Sequence, residues 1–266
     1  MNTIAKVRQT ILQYRLLKKG DTVVVGMSGG ADSTALLYLL LELRAAWGLK
    51  LIAVHCNHHL RRAANVDQRF VETLCRKLSV PCHSVSLNVR KQGEAGSLEE
   101  LAREARLAAF LRIVRSARAD SVALAHHQDD CAETILMRIL RGTGLQGLQG
   151  ILPVRDIQGM KIIRPLLHLT RAEILEFLAA RKIPYREDHT NRDPKFFRNQ
   201  IRIDLLPYLK KDYQNNITEL LTQLAESAGT DYDYLRLTAV ATLTRLIRKT
   251  STKHQLLLAL KPFRQL

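Results

Sequence analysis

The sequence predicts an α/β fold, a doubly wound parallel five-stranded sheet followed by a small helical region. Three observations carry that expectation. Val23 to Ser33 reads VVVGMSGGADS and runs directly into the apolar stretch Ala35 to Leu43, the pattern of a buried strand, a tight turn and a helix start. Short apolar runs then alternate with helical patterns up to about residue 203, as crossover-linked parallel strands require. From Asp204 the alternation stops and the pattern is helical. Two parts follow, 1–203 and 204–266.

The balance of 41 Lys+Arg against 25 Asp+Glu in 266 residues gives a net charge of +16. Such an excess suits a polyanion partner, although a merely solvated basic surface has the same composition. No apolar run reaches the length of a membrane-spanning helix. The first twenty residues place their apolar positions at helical spacing and form no continuous signal-peptide core, so the expected location is the cytoplasm. The four cysteines are unevenly spaced with no C-x-x-C, which predicts reduced, individually buried thiols.

The turn after the first strand carries the chemistry. Ser28, Gly29, Gly30, Ala31, Asp32 and Ser33 place free backbone N–H groups at the positive end of a helix dipole, where an anion such as phosphate binds. A Walker A loop would need a lysine that this turn lacks; Asp32 stands there instead. A carboxylate beside phosphates is repulsive unless a divalent cation lies between, so the turn predicts a nucleotide together with Mg²⁺, with Asp32 as metal ligand.

Around that turn the elements fall in order. Residues 4–17 form an amphipathic helix. A second strand, Leu51 to Val54, leads into HCNHHLRR. His55, Cys56, His58 and His59 there resemble metal ligands, but neighbouring strand positions point to opposite sides and no second cluster completes a tetrahedral site. The reading preferred is a strand end facing a ligand crevice; Arg61 and Arg62 beyond it suit nucleic acid or solvent. A helix (65–78), the strand Cys82 to Leu87 and a polar loop (91–96) follow. Ser97 opens a capping box before a helix to about Arg118. Arg103 and Arg106 share one face of that helix, and with Glu99 at i,i+4 from Arg103 a surface ion pair and a phosphate contact fit equally.

A fourth strand, Ser121 to Ala125, runs into HHQDDCAET. Asp129 and Asp130 lie in the first turn of the next helix, and Asp130 and Glu133, at i,i+3, face one side. That pair suits an ammonium group or a cation, while ordinary first-turn capping explains one acidic residue but less readily three. In a doubly wound sheet strands one and four are neighbours at the switch point, so the SGGADS and HHQDD turns open on one crevice. Gly142, Gly144 and Gly147 nominally match a dinucleotide fingerprint but follow a helix and are rejected as such; a loop closing over substrate remains. The fifth strand is Lys161 to Leu167, and Thr170 with Glu173 caps a helix. Arg186, Arg192, Lys195, Arg198 and Arg202 interleave with Tyr185, Phe196 and Phe197, which suits unpaired RNA or, equally, a helix burying its rings beneath snorkelling arginines. Beyond Asp233 the tail is basic with no acidic residue.

The turn SGGADS resembles the pyrophosphatase loop of the adenine nucleotide α-hydrolase superfamily. With VHCNHHLR, AHHQDDCAETILMRILRGTGLQGL, RPLLHLTRAEI and FFRNQIRIDLLPYL it narrows to a resemblance to the tRNA(Ile)-lysidine synthetases over residues 20 to 210. The resemblance implies ATP-dependent ligation of L-lysine to C2 of the wobble cytidine of tRNA(Ile) with a CAU anticodon, through an adenylated intermediate. Ser28 to Ser33 would then hold ATP phosphates, with Asp32 and Mg²⁺ at the α-phosphate. Arg103, Arg106 and His126 would lie at the nucleotide, Asp130 and Glu133 at the lysine ammonium, and Arg198 at the reacting groups. Most members of that family continue past the linking helical region, so residues 204–266 are expected to be a shortened version of it, bearing on tRNA selection. The alternatives are a tRNA thiolase of the same superfamily, which would need paired cysteines, and an inactive RNA- or nucleotide-binding module.

Overall fold

The computed structural model describes residues 2–57, 64–87, 98–187 and 197–247. Its elements are α1 (Thr3–Gln13), β1 (Thr22–Gly26), α2 (Ala31–Trp47), β2 (Lys50–Asn57), α3 (Ala64–Lys77), β3 (Cys82–Ser86), α4 (Leu98–Ala117), β4 (Ser121–Ala123), α5 (Gln128–Leu140), α6 (Leu145–Leu148), β5 (Val154–Ile157), β6 (Met160–Ile163), α7 (Arg171–Ala180), α8 (Phe197–Gln200), a π-helical turn (Ile201–Leu205), α9 (Leu206–Asp212) and α10 (Ile217–Leu246). The sheet order is β3-β2-β1-β4-β6-β5. β1 pairs in parallel with both β2 and β4, so the switch point lies between β1 and β4 as the alternation predicted.

The five expected parallel strands are present as β1, β2, β3, β4 and β6. A sixth strand, β5, is added antiparallel to β6 at the edge. Its hairpin turns through Gln158 and Gly159, with φ of 55° and 77°, two left-handed residues of the kind that match strand twist in a two-residue turn. Gln-Gly is a weak turn signal beside Asn-Gly, and VRDI is too short and polar to read as a strand.

Alternation along β1 divides the core. Val23 and Val25 pack with α1, α2, α3 and α7 through Leu36, Leu40, Val71 and Phe177. Val24 faces the other way, with Val54, Val122 and Ile162, against Phe110 and Ile113 of α4. A third cluster joins Cys131 and Ile135 of α5 to Ile201, Leu206, Leu221 and Ala225, so the helical region packs on the helix that follows β4. Thr170 caps α7 as expected, its Oγ1 accepting from Glu173 N at 3.2 Å. All four cysteines are free thiols; Cys75 and Cys131 are buried, while Cys56 and Cys82 are only half-buried. Among the described residues no helix is long and apolar enough to cross a membrane. His58, His59, Arg61, Arg62, the 91–96 loop, Ser97, Arg192, Lys195, Phe196 and the tail from Arg248 lie outside the described residues, as does the Glu99 side chain.

Candidate active site

The β1 strand delivers its chain into a turn held by its own serines. Ser28 and Ser33 hydroxyls lie 3.0 Å apart, Gly30 N donates to Ser28 Oγ at 3.2 Å, and Ser33 Oγ donates to Gly30 O at 3.1 Å. Gly30 is the N-cap of α2, with no side chain bonded to the cap, so the first amides from Ala31 onward are available to an anion. Gly29 has φ +87°, and a Cβ there would sit 3.3 Å from Val71 Cγ2. Gly29→Ala is therefore expected to cost about 1–2 kcal/mol in backbone strain alone, seen as a lowered Tm.

Three strands later, the turn that leaves β4 carries His126 and His127, and α5 begins at Gln128 with His127 as its N-cap. The two turns converge as expected: His127 Nε2 lies 3.7 Å from Asp32 Oδ1 and 3.4 Å from Asp130 Oδ2, and its Nδ1 is 3.6 Å from Asp129 Oδ2. His127 is buried among these three carboxylates, and its backbone N–H donates to Asp130 at 3.1 Å. Two further segments of the chain close the crevice. Arg171, the first residue of α7, pairs with Asp32 through its guanidinium and with Asp129 through its amide at 2.8 Å. Arg186 N donates to Gly29 O at 2.9 Å, and its Nε pairs with Asp67 at 3.2 Å.

Asp130 and Glu133 do share a face, and what fills the space between them is arginine. Arg198 Nε lies 2.7 Å from Glu133 Oε2 and its Nη2 lies 2.9 Å from Asp130. Arg202, one turn on, reaches Glu133 at 2.5 and 2.9 Å and Asp130 at 3.3 Å. The π-helical turn at Ile201–Leu205 is a widened turn of the kind that gathers at functional sites, and it carries Arg202. Glu133 is 1% exposed; only paired can a carboxylate be buried so deeply. Burial opposes the ionised form of Asp130, but His127, Arg198 and the His127 amide outweigh it and hold its carboxyl below the ordinary range. An ammonium could reach this pair only by displacing a guanidinium.

His126 is governed by Arg164. The Arg164 Nε donates to His126 Nδ1 at 3.2 Å. A guanidinium is never an acceptor, so the network assigns the ring proton to Nε2. Burial pushes His126 down to about 4, with Asp130 opposing and Arg164, Arg198 and Arg106 adding to the shift. The ring is a neutral N–H donor at physiological pH. Above pH 6.5 it is neutral folded or unfolded; between 6.5 and about 4 the unfolded chain takes a proton that the folded ring refuses. Stability therefore falls as pH falls through that window, by about 3 kcal/mol from this group. His126→Asn, which keeps an acceptor for Arg164, is expected to flatten that part of a stability–pH curve measured by urea unfolding.

Arg106 lies near enough to influence His126 and Cys56, whereas Arg103 is felt at Arg164 and Arg138. His55 Nδ1 donates to Met27 O, 2.8 Å away, in the buried floor of the turn. Phe197 lies beneath the Arg141 guanidinium at 5.2 Å. Sequence reasoning missed Arg164, Arg171 and Lys210, whose Nζ is 3.4 Å from Asp129. A charged residue at the carboxyl end of a parallel strand was the available signal for Arg164; Arg171 had none beyond its place at a helix start.

A turn with free helix-start amides and an acidic helix start meet at the switch point of a parallel sheet, the place where open α/β folds take their ligands. Residues 2–209 match the PP-loop domain, and the chain belongs to that family. Its sequence is similar to the tRNA(Ile)-lysidine synthase of Clostridioides difficile, 40% identical across 89% of this chain and 51% of that protein. The tRNA(Ile)-lysidine synthase of Clostridium tetani is 35% identical across 97% of this chain and 55% of that protein. The chain thus spans about half the length of these curated relatives. Among solved structures, the U34-tRNA thiolase NcsA of Methanococcus maripaludis has the same fold, with a TM-score of 0.70 at 20% identity over 85% of this chain and 77% of that one.

Proposed function

We propose that this chain catalyses ATP-dependent ligation of L-lysine to C2 of the wobble cytidine in tRNA(Ile) with a CAU anticodon, in the cytoplasm. The cytidine O2 attacks the ATP α-phosphate and pyrophosphate leaves; the lysine ε-amine then attacks C2 and AMP departs with that oxygen. Residues 1–203 are the catalytic unit and 204–266 the linking helical region. The observation that carries this reading is the convergence of the two turns, with Asp32 and Asp130 both at His127.

In this reading Ser28 to Ser33 hold the phosphates through backbone amides, and Arg106, Arg103 and the His126 N–H complete the nucleotide's surroundings. Asp130 and Glu133 form the amine site. Its occupation by Arg198 and Arg202 supports a preference for cations, and the substrate ammonium would displace Arg198 towards the reacting phosphate. Among the described residues no group of three or more His, Cys, Asp or Glu could hold a metal ion. Mg²⁺ is held by one or two carboxylates plus substrate phosphates, and Asp32, a part-exposed carboxylate in the first turn of α2, is such a group. Asp32 would hold it, and it would neutralise charge developing at the α-phosphate.

The test is purified protein with Mg²⁺, ATP, an unmodified transcript of that tRNA and labelled lysine, with the product nucleosides weighed by mass spectrometry. A lysine adduct on cytidine is expected. Absence of label in the RNA removes the reading's main claim, and a sulfur adduct would assign the chain to thiolation instead.

A further inference from the structure

Arg164 is the least ordinary cation in the structure. It is 8% exposed, permanently charged, and its partners are neutral: His126 Nδ1 at 3.2 Å and Leu152 O at 2.6 Å. A buried charge without a counter-ion is costly. Two more guanidiniums share its charge field, the half-buried Arg138 and the exposed Arg155. Arg138, at the end of α5, donates to Gly147 O at 2.6 Å and Gly150 O at 3.0 Å, so it is tied to the glycine-rich loop. Arg155 lies on the edge strand β5, opposite Ile162. Directly opposed residues share a face, and Ile162 faces α4, so Arg155 and Arg164, two residues beyond Ile162, lie on that same face.

The Arg155 charge acts on both of the other two. Burial and the Arg155 and Arg103 charges push Arg164 down to about 10, and Arg138 is lowered by burial and the same two neighbours. Among the described residues none of Arg138, Arg155 and Arg164 is within ion-pair distance of a carboxylate. The acidic residue on the edge strand, Asp156, is opposite Lys161 and accepts the Gly159 amide of its own hairpin. Exposed apolar side chains lie alongside: Ile139, Leu140, Leu145 and Leu152.

We propose that Arg138, Arg155 and Arg164 form a subsite for the sugar–phosphate backbone of single-stranded RNA, beside the glycine-rich loop. Nucleotide phosphates have the Ser28–Ser33 turn; this cluster begins at His126, through Arg164, and runs outward to the edge strand β5, where a chain longer than a mononucleotide can reach it. Guanidiniums next to exposed apolar side chains match phosphates that alternate with splayed bases. The anion supplies the charge that the fold withholds from Arg164. The inference rests on the RNA-modifying reading above and adds where the RNA lies.

The experiment measures affinity for an anticodon stem-loop transcript over a range of salt concentrations, alongside ATP–Mg²⁺ affinity. Arg155→Ala and Arg155→Glu are the main variants, since Arg155 is exposed; Arg138→Ala is the second site, with Tm recorded for each. Arg155→Ala is expected to weaken RNA binding about three- to tenfold near physiological salt and to lower the slope of log K against log salt by about 0.7–0.9. Arg155→Glu goes further in the same direction, Arg138→Ala acts likewise, and ATP–Mg²⁺ affinity stays constant. Unchanged slopes in variants of a protein that binds RNA overturn the subsite and leave the ligase reading standing. A fall in ATP affinity with unchanged RNA slopes overturns it in favour of a nucleotide phosphate. A parent protein that binds no RNA at any salt overturns both.

Discussion

Glu133→Ala is expected to destabilise the folded protein by about 3 kcal/mol, near the lower end of what breaking a buried ion pair costs. The carboxylate is 1% exposed and both oxygens are engaged by Arg198 and Arg202. Its removal leaves two guanidiniums facing a void with only Asp130 to share. Both arginine side chains are about a third exposed, at 34% and 37%, so water recovers part of the loss. For a chain of this size the shift in Tm is about 6–10 °C. Glu133 and Arg202 belong to one network, so Arg202→Ala and the double variant should show a coupling of about 0.5–3 kcal/mol. A Glu133→Ala protein that melts with the parent, or a cycle that is additive, contradicts the paired geometry. The same variant separates packing from substrate recognition. Glu133→Gln keeps the shape and loses the charge, so it should raise the lysine concentration needed for ligation more than it alters ATP–pyrophosphate exchange. Equal loss of both would return Asp130 and Glu133 to a purely structural role.

Most of this arrangement was legible where local chemistry dictates it. VVVGMSGGADS fixes its own strand, turn and helix start, because β-branched residues, a left-handed Gly29 and a free helix terminus agree at every step. The switch point followed from alternation, and with it the meeting of Asp32 and His127. Those inferences depend on period and handedness, which sequence reports directly. What sequence does not report is which distant charge reaches which. From local pattern Arg198 and Arg202 read as RNA contacts or surface arginines, and only the family resemblance put Arg198 at the reacting groups; the structure turns both inward onto Asp130 and Glu133. That choice depends on how the helical region docks on α5, a long-range packing event carried by Ile201, Leu206, Leu221 and Ala225. Arg171 was invisible for a similar reason, since its partner lies 139 residues away. The edge strand β5 escaped because its four residues gain their order from pairing with β6, and their own pattern is half polar.

Asp32→Asn is expected to lower ATP–pyrophosphate exchange by about 10²–10³-fold, the scale on which removing a single preorganised electrostatic contact acts, while nucleotide binding persists. The substitution keeps the shape of the first turn of α2 and the amides that receive phosphate, so the binding part of the turn is intact. What it deletes is the negative charge that balances Arg171 in the free protein and that would position Mg²⁺ when ATP is bound. With Asp32 neutral, Arg171 is released beside the phosphate turn, and an uncompensated guanidinium there favours phosphate binding. Affinity and turnover should therefore move apart, equal or tighter ATP binding by calorimetry against a collapsed exchange rate. Arg171→Ala tests the other half of the pair. Arg171 and Mg²⁺ compete for one carboxylate, so its removal should lower the Mg²⁺ concentration that half-saturates exchange. Exchange in Asp32→Asn at the parent rate would place the reacting phosphate elsewhere. Joint loss of binding and exchange would mean that the carboxylate shapes the turn itself. Only separation of the two measurements assigns Asp32 to the chemistry and the surrounding amides to the hold on ATP.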